Sequence, residues 1–226
     1  MTDLEMSKQG QRERVRHDLD AAEVPPVHTA TAGPDAGPGA HVLGDPLSLG
    51  LASFGLAVGT AGVVNAGFVD TTVAPASIVI ALANGFFTQL IAGILGFRRG
   101  ETFVGVVFTV FSGFWLDISA LQLFFVPRIV ETGGSPGGVI GMFLLAWAIV
   151  STYVWVAALA TTTVNGVVFG IGTLALFVIG IGAFVGSSPT IVVGGWLQII
   201  TGLILLYSSA ATIIGEMYGR PILPVV

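Results

Sequence analysis

The sequence predicts an all-α membrane protein: six transmembrane helices with both termini on the cytoplasmic side. Three observations carry that expectation. Six long apolar segments fill the chain from about Leu47 to Ile214, each near the roughly 20 residues that span a bilayer as a helix. The chain is 54% hydrophobic and only 9% charged, whereas soluble domains are about 25% charged. Six helices that are apolar all round would leave a soluble protein no face to present to water. Finally, threading the segments through a bilayer puts seven of the eight Lys and Arg residues on one side, and cytoplasmic loops carry the excess of such residues.

Residues 1–45 form the first element, a tail expected to be cytoplasmic and disordered, ahead of a six-helix transmembrane domain over residues 46–226. The tail holds four of the eight basic residues, eight of the thirteen acids and all three histidines. Its stretch around Pro25, Pro26, Pro34 and Pro38 has too little apolar surface to offset the entropy of ordering. Met1–Glu23 lacks the apolar stretch of about 7–15 residues that a signal peptide needs.

The spans are expected at Leu47–Phe68, Ala76–Phe97, Thr102–Phe125, Gly137–Ala160, Val164–Val185 and Ile191–Ile214. Asp70 to Pro75 breaks the first from the second. Arg98, Arg99, Gly100 and Glu101 make a tight charged turn after the second, and Pro127 to Pro136 is the third loop. Thr161–Thr163 marks the fourth connection, the faintest of the five, and Ser187, Ser188 and Pro189 mark the fifth. With the N-terminus inside, only Arg128 lies outside. Glu216 precedes Arg220 by four residues, a spacing that favours an ion pair on a helix end. The 32 glycines lie mostly in the spans, where small residues about four apart let helix backbones approach closely in lipid.

Composition also excludes chemistry. Without cysteine there is no disulfide, thiolate nucleophile or Cys-based zinc site. With every histidine in the tail, the membrane domain holds no Ser-His-Asp set and no His-based metal site. The only lysine is Lys8, so no phosphate-binding GxxxxGK[ST] loop exists. The chain reads as a transporter or channel, not an enzyme, with no cofactor, no metal and no nucleic-acid partner. Polar residues inside the spans are few, and in lipid such groups usually have a partner or a role. Asn65, Gln89, Thr109 and Ser112 are candidate donors along a substrate path. Asp117 is the only carboxylate deep within a span, either a proton site or a residue of the outer mouth.

Specific residues resemble a family, the acetate uptake transporters, which are acetate/succinate permeases of bacteria and fungi. Asp45, Pro46, Leu49, Gly50 and Leu51 resemble its signature Asn-Pro-Ala-Pro-Leu-Gly-Leu, with Asp45 in place of Asn and Ser48 in place of the second Pro. Phe54-Gly55 and Asn65-Ala-Gly follow at the family spacing. Gln89, Ala92 and Gly93 fit the second span. Arg98-Arg-Gly-Glu-Thr-Phe, Phe108-Thr and Phe114-Trp-Leu match a family run, and Gly195-Trp196, Tyr207, Glu216, Gly219-Arg220 and Leu223-Pro224 continue the match to the C-terminus. The resemblance implies a six-helix protomer with its own pathway, assembled as a homo-oligomeric ring, typically a hexamer, in the plasma (inner) membrane. It implies passage of acetate or related small carboxylates, by proton symport or as a channel. It also implies a narrow hydrophobic constriction, falling on Phe54, on Phe111 where the family has Tyr, and near Gly172 to Leu174.

Physical chemistry fits that expectation. An apolar waist excludes hydrated ions by its dewetting cost. No Arg or Lys lies mid-span, so nothing cationic offsets the desolvation of an anion, and entry as the neutral acid or with a proton is favoured over free anion flow. A channel for a small neutral solute such as urea is the alternative within the same physical class.

Overall fold

The computed structural model describes residues 44–224 except residues 71 and 73. The expected disordered tail lies, but for its last two residues, outside the described residues. Six helices are long and apolar enough to cross a membrane: α1 (Leu47–Asn65), α2 (Ser77–Arg98), α3 (Thr102–Glu131), α4 (Gly137–Ala158), α5 (Thr163–Val185) and α6 (Ser188–Tyr218). The six expected spans are all present, and the chain is a multi-pass membrane protein.

Local chemistry sets the helix ends. Asp45 Oδ1 accepts from the Leu47 backbone N–H at 2.8 Å, satisfying one of the donors that the start of α1 leaves open. Thr162 caps α5 by accepting from Asn165 N at 3.2 Å, so the faint Thr161–Thr163 break is a true helix start. Gly186 and Gly219 follow α5 and α6 with φ of 72° and 62°, a left-handed conformation that a side chain disfavours. In the loop after α1, the Thr72 hydroxyl and then its backbone N–H bond Asp70 and hold its carboxyl below the usual carboxylate range.

Three expectations are corrected. The third span does not end near Phe125. It runs on to Glu131 because Leu121–Phe125 is wound as a π-helix and a new α-helical stretch, Val126–Glu131, starts on Pro127. A proline in the first helical turn loses only an N–H that would be unpaired anyway, so Pro127 extends this helix instead of breaking it. The same logic applies to Pro189, which lies in the first turn of α6 and lets that helix begin ahead of the expected Ile191. At its far end α6 reaches Tyr218, and Gly219 then turns the chain away. Among the described residues Glu216 and Arg220 therefore form no ion pair; the ion pair present joins Arg99 Nε to Glu101 Oε1 at 2.7 Å.

The helices close into a ring in chain order, α6 returning to lie along α1. Helix α1 packs most extensively on α6 and α4 on α5, followed by α2 on α3 and α5 on α6. Glycine makes the tight contacts. A Cβ on Gly202 would lie 2.7 Å from Gly59 Cα, and one on Gly62 would lie 2.8 Å from Gly195 O, so the backbones of α1 and α6 touch. Gly141 does the same against Gly180 and Phe184 between α4 and α5. The sparsest neighbouring pair is α3 with α4. There large rings hold the backbones apart: Phe114 stacks on Phe143 at 5.7 Å and meets Trp147 edge-on at 5.4 Å.

Candidate functional site

A cavity of about 40 Å³ lies inside this ring, room for a few water-sized groups. Every helix except α2 contributes to its wall. Helix α1 supplies Phe54 and Val58; α3 supplies Phe111, Phe114 and Trp115; α4 supplies Ser151. Helix α5 supplies Val168, Phe169, Gly172 and Leu176, and α6 supplies Gln198, Thr201 and Leu205. The wall is largely apolar with a few polar groups, the usual make-up of a small-molecule site.

Three aromatic rings meet in the wall. Phe54 and Phe111 lie 4.9 Å apart, and Phe169 is 6.4 Å from the first and 6.3 Å from the second. The triangle thus draws one ring each from α1, α3 and α5. All three side chains are at least 93% buried. Gly50 lets it form: a Cβ there would strike the ring of Phe108, one turn before Phe111. Sequence reasoning found Phe54 and Phe111 but missed Phe169. The signal was present in α5, where Phe169, Gly172 and Leu176 recur at three- and four-residue steps and therefore share a face.

Leu174, expected as the third side of the constriction, is 52% exposed and does not line the cavity. The leucine that α5 contributes to the wall is Leu176, two residues on and about 200° around the helix at 3.6 residues per turn. Leu174 therefore falls on the outer face of α5, while Gly172 and Leu176 on either side of it fall on the cavity face.

The four expected polar residues separate. Asn65, at the end of α1, donates through Nδ2 to Gln198 Oε1 at 2.8 Å, and it is Gln198 that lines the cavity. Ser112 donates to the Thr109 carbonyl at 2.7 Å, a local bond within its own helix. Gln89 is completely buried, and neither its Nε2 nor its Oε1 has a protein partner; Thr109 Oγ1 is also buried and unpaired. Gln89 sits one turn from Gly85, which faces Trp115, and one turn from Gly93, which faces Thr109. Gln89 and Thr109 therefore belong to the α2–α3 contact, not to the cavity wall. Asp117 is exposed on α3 and makes no ion pair with Arg128.

Helix α3 brings one polar atom to a wall residue, the buried and unpaired Nε1–H of Trp115, and the other polar groups of the wall come from the later helices. Thr201 donates its hydroxyl to the Leu197 carbonyl at 2.9 Å, which leaves it only lone pairs to offer. Ser151 Oγ and Thr173 Oγ1 share a hydrogen bond of 2.7 Å, so one of the two hydroxyl protons remains to donate elsewhere. Of the signature residues, Pro46, Gly50 and Leu51 are buried, Asp45 starts α1, and Leu49 is 40% exposed.

Six spans closing on a narrow, mainly apolar cavity define the class: a multi-pass membrane transport protein. The chain belongs to the GPR1/FUN34/yaaH family, whose model matches residues 29–220. Curated relatives include the succinate-acetate/proton symporter SatP of Escherichia coli, 28% identical over 81% of this chain and 95% of SatP. Acetate permease A of Emericella nidulans is 27% identical over 82% of this chain and 67% of the permease. Ammonia transport outward protein 2 of Saccharomyces cerevisiae is 27% identical over 76% of this chain and 62% of its own length. Among solved structures, that of the bacterial acetate channel SatP superposes with a TM-score of 0.74 at 26% identity. It covers 82% of this chain and the whole of that one.

Proposed function

We propose that this protein carries acetate or a related small carboxylate across the plasma membrane, through the cavity inside each protomer. The observation that carries the reading is the cavity: a triangle of Phe54, Phe111 and Phe169 beside a few neutral polar groups, with no Lys, Arg or His in its wall. The apolar rings fit a methyl group, and the amide and hydroxyls fit a carboxyl group. An unpaired anion in such a wall faces a large desolvation cost. The carboxylate therefore passes with a proton or as the neutral acid. The relatives named for succinate-acetate symport and acetate permeation support the substrate class.

The distribution of basic residues supports cytoplasmic N- and C-termini, and the family resemblance supports a homohexameric ring. Phe54 and Phe111 act as the waist of the pathway, with Phe169 as the third ring. Asp117, exposed on α3, is assigned to the outer mouth.

The test is uptake of labelled acetate, lactate and succinate into proteoliposomes, with and without an inward proton gradient, for wild type and for Phe111→Tyr. Wild type should take up acetate faster with the gradient. Phe111→Tyr, which adds a hydroxyl to the waist, should shift the ratio of acetate to lactate uptake. Acetate current that follows voltage and ignores pH would reject the proton-linked reading, and absence of any carboxylate flux would reject the substrate class.

A further inference from the structure

We propose that Gln198 is the specificity-determining residue of the cavity, and that Asn65 is the positioning residue that turns its amide so that N–H donors face the substrate. This inference rests on the carboxylate reading above and says how the carboxylate is recognised.

The argument starts from an inventory of donors. The carbonyl oxygen of a carboxylic acid and both oxygens of a carboxylate accept hydrogen bonds, so a wall that recognises either form needs a donor and not only lone pairs. Thr201 has spent its proton on the Leu197 carbonyl. The Ser151–Thr173 pair keeps a single proton for use outside the pair. Trp115, which also lines the cavity, keeps a single unpaired N–H, and Gln198, with two N–H donors on one amide, is the richest remaining group: it lines the cavity and is 94% buried. A glutamine amide can face a substrate with either its donor or its acceptor end, and only one suits a carboxylate.

In the structure Asn65 takes the acceptor end. Its Nδ2 donates to Gln198 Oε1 at 2.8 Å, so the acceptor end of Gln198 is occupied on the side of α1. Among the described residues the Nε2 hydrogens have no protein partner, and they are what the residue has left for the cavity. Close packing fixes the pair in place. A Cβ on Gly62 would lie 2.9 Å from Gln198 Cβ, so α1 and α6 meet within one turn of Asn65. Donors that are held in position before the substrate arrives cost no reorganisation when it binds. Asn65 thus acts without lining the cavity, which explains why a polar residue at the very end of α1 matters to the site.

The experiment uses proteoliposomes of the full chain and two probes, labelled acetate and its neutral isostere acetamide. Their ratio within one sample does not depend on how much of the protein is correctly folded. Gln198→Met removes the N–H donors at similar length and should raise the apparent KM for acetate about tenfold, the scale of one hydrogen bond. Asn65→Asp offers Gln198 only acceptors, so Nε2 must turn toward it and Oε1 toward the cavity; the acetate-to-acetamide ratio should fall about tenfold. In the double variant, Asn65→Asp should produce no further fall, because the amide it acts through is gone.

An unchanged acetate KM in Gln198→Met overturns the specificity role. An unchanged or rising ratio in Asn65→Asp overturns the positioning role, as does an equal fall in the double variant, which would mean that the added charge acts alone. Wild type that carries acetate while the variants match it rejects this inference and leaves the transport reading standing. Wild type that carries no carboxylate rejects both.

Discussion

Phe169 and Gln89 show how differently two buried residues relate to the pathway. Phe169 completes the ring triangle, and its removal widens the cavity. Phe169→Ala should therefore let a longer carboxylate such as butyrate gain on acetate by roughly tenfold, since a methylene in an apolar pocket discriminates on that scale. Competition uptake in proteoliposomes reads the ratio. Gln89 is equally buried but stands in the α2–α3 contact with no protein partner. Gln89→Met, which keeps the length and removes the amide, should leave the acetate KM within about twofold, in contrast to the roughly tenfold rise expected for Gln198→Met. A large KM effect at Gln89 would mean that the pathway runs on the α2 side of α3. Phe54 and Phe111 were reached through the family resemblance, and both line the cavity. Gln198 was legible only as a polar residue inside a span, because its role depends on Asn65, 133 residues away, a pairing that no local pattern encodes.

At the scale of the helix, glycine position separates structural positions from tolerant ones. Gly202 faces the backbone of α1: an added Cβ would lie 2.7 Å from Gly59 Cα and 2.9 Å from Gly55 O, atoms that cannot rotate away. Gly202→Ala should lower stability by about 1–3 kcal/mol, the usual cost of overpacking. Gly113 in α3 has nothing within 4 Å of the same position, and Gly113→Ala should leave stability unchanged or raise it by up to about 1 kcal/mol through helix propensity. Thermal melting in detergent compares the two. If both variants melt alike, the α1–α6 contact is looser than the structure draws it. Helix existence was readable from sequence because length and apolarity suffice in a bilayer. The inward face was not. A spanning helix is apolar toward lipid and apolar toward its neighbours, so the contrast that orients a helix in a soluble protein is missing. The error at Leu174, with Leu176 in the wall instead, is that loss of contrast in one residue pair. The length of α3 was misread for another reason: Pro127 was taken as a stop when, after a π-helical stretch, it served as a start.

For the molecule as a whole, the expected orientation rests on seven of eight basic residues, and the chain is suited to a direct check because it contains no cysteine. Ser135, between α3 and α4, and Thr161, between α4 and α5, are both exposed. In intact cells a membrane-impermeant maleimide should label Ser135→Cys and spare Thr161→Cys. The reverse pattern would invert the protein in the membrane. The overall order of spans was legible, but the ring was not, since hydropathy says nothing of which helix lies beside which.

That ring sets a schedule for making the protein. The principal partner of α1 is α6, the last span to leave the ribosome, so the first helix must wait in lipid with its glycine face uncovered while four others are inserted. Closure is therefore a late event, and the Asn65–Gln198 bond can form only then. A chain cut short before Ser188 should insert its early spans and yet fail to mature, exposing the face of α1 to membrane quality-control proteases. A pulse-chase comparison of that truncation with the full chain would show rapid loss of the shorter form, while supplying α6 as a separate polypeptide should extend its lifetime.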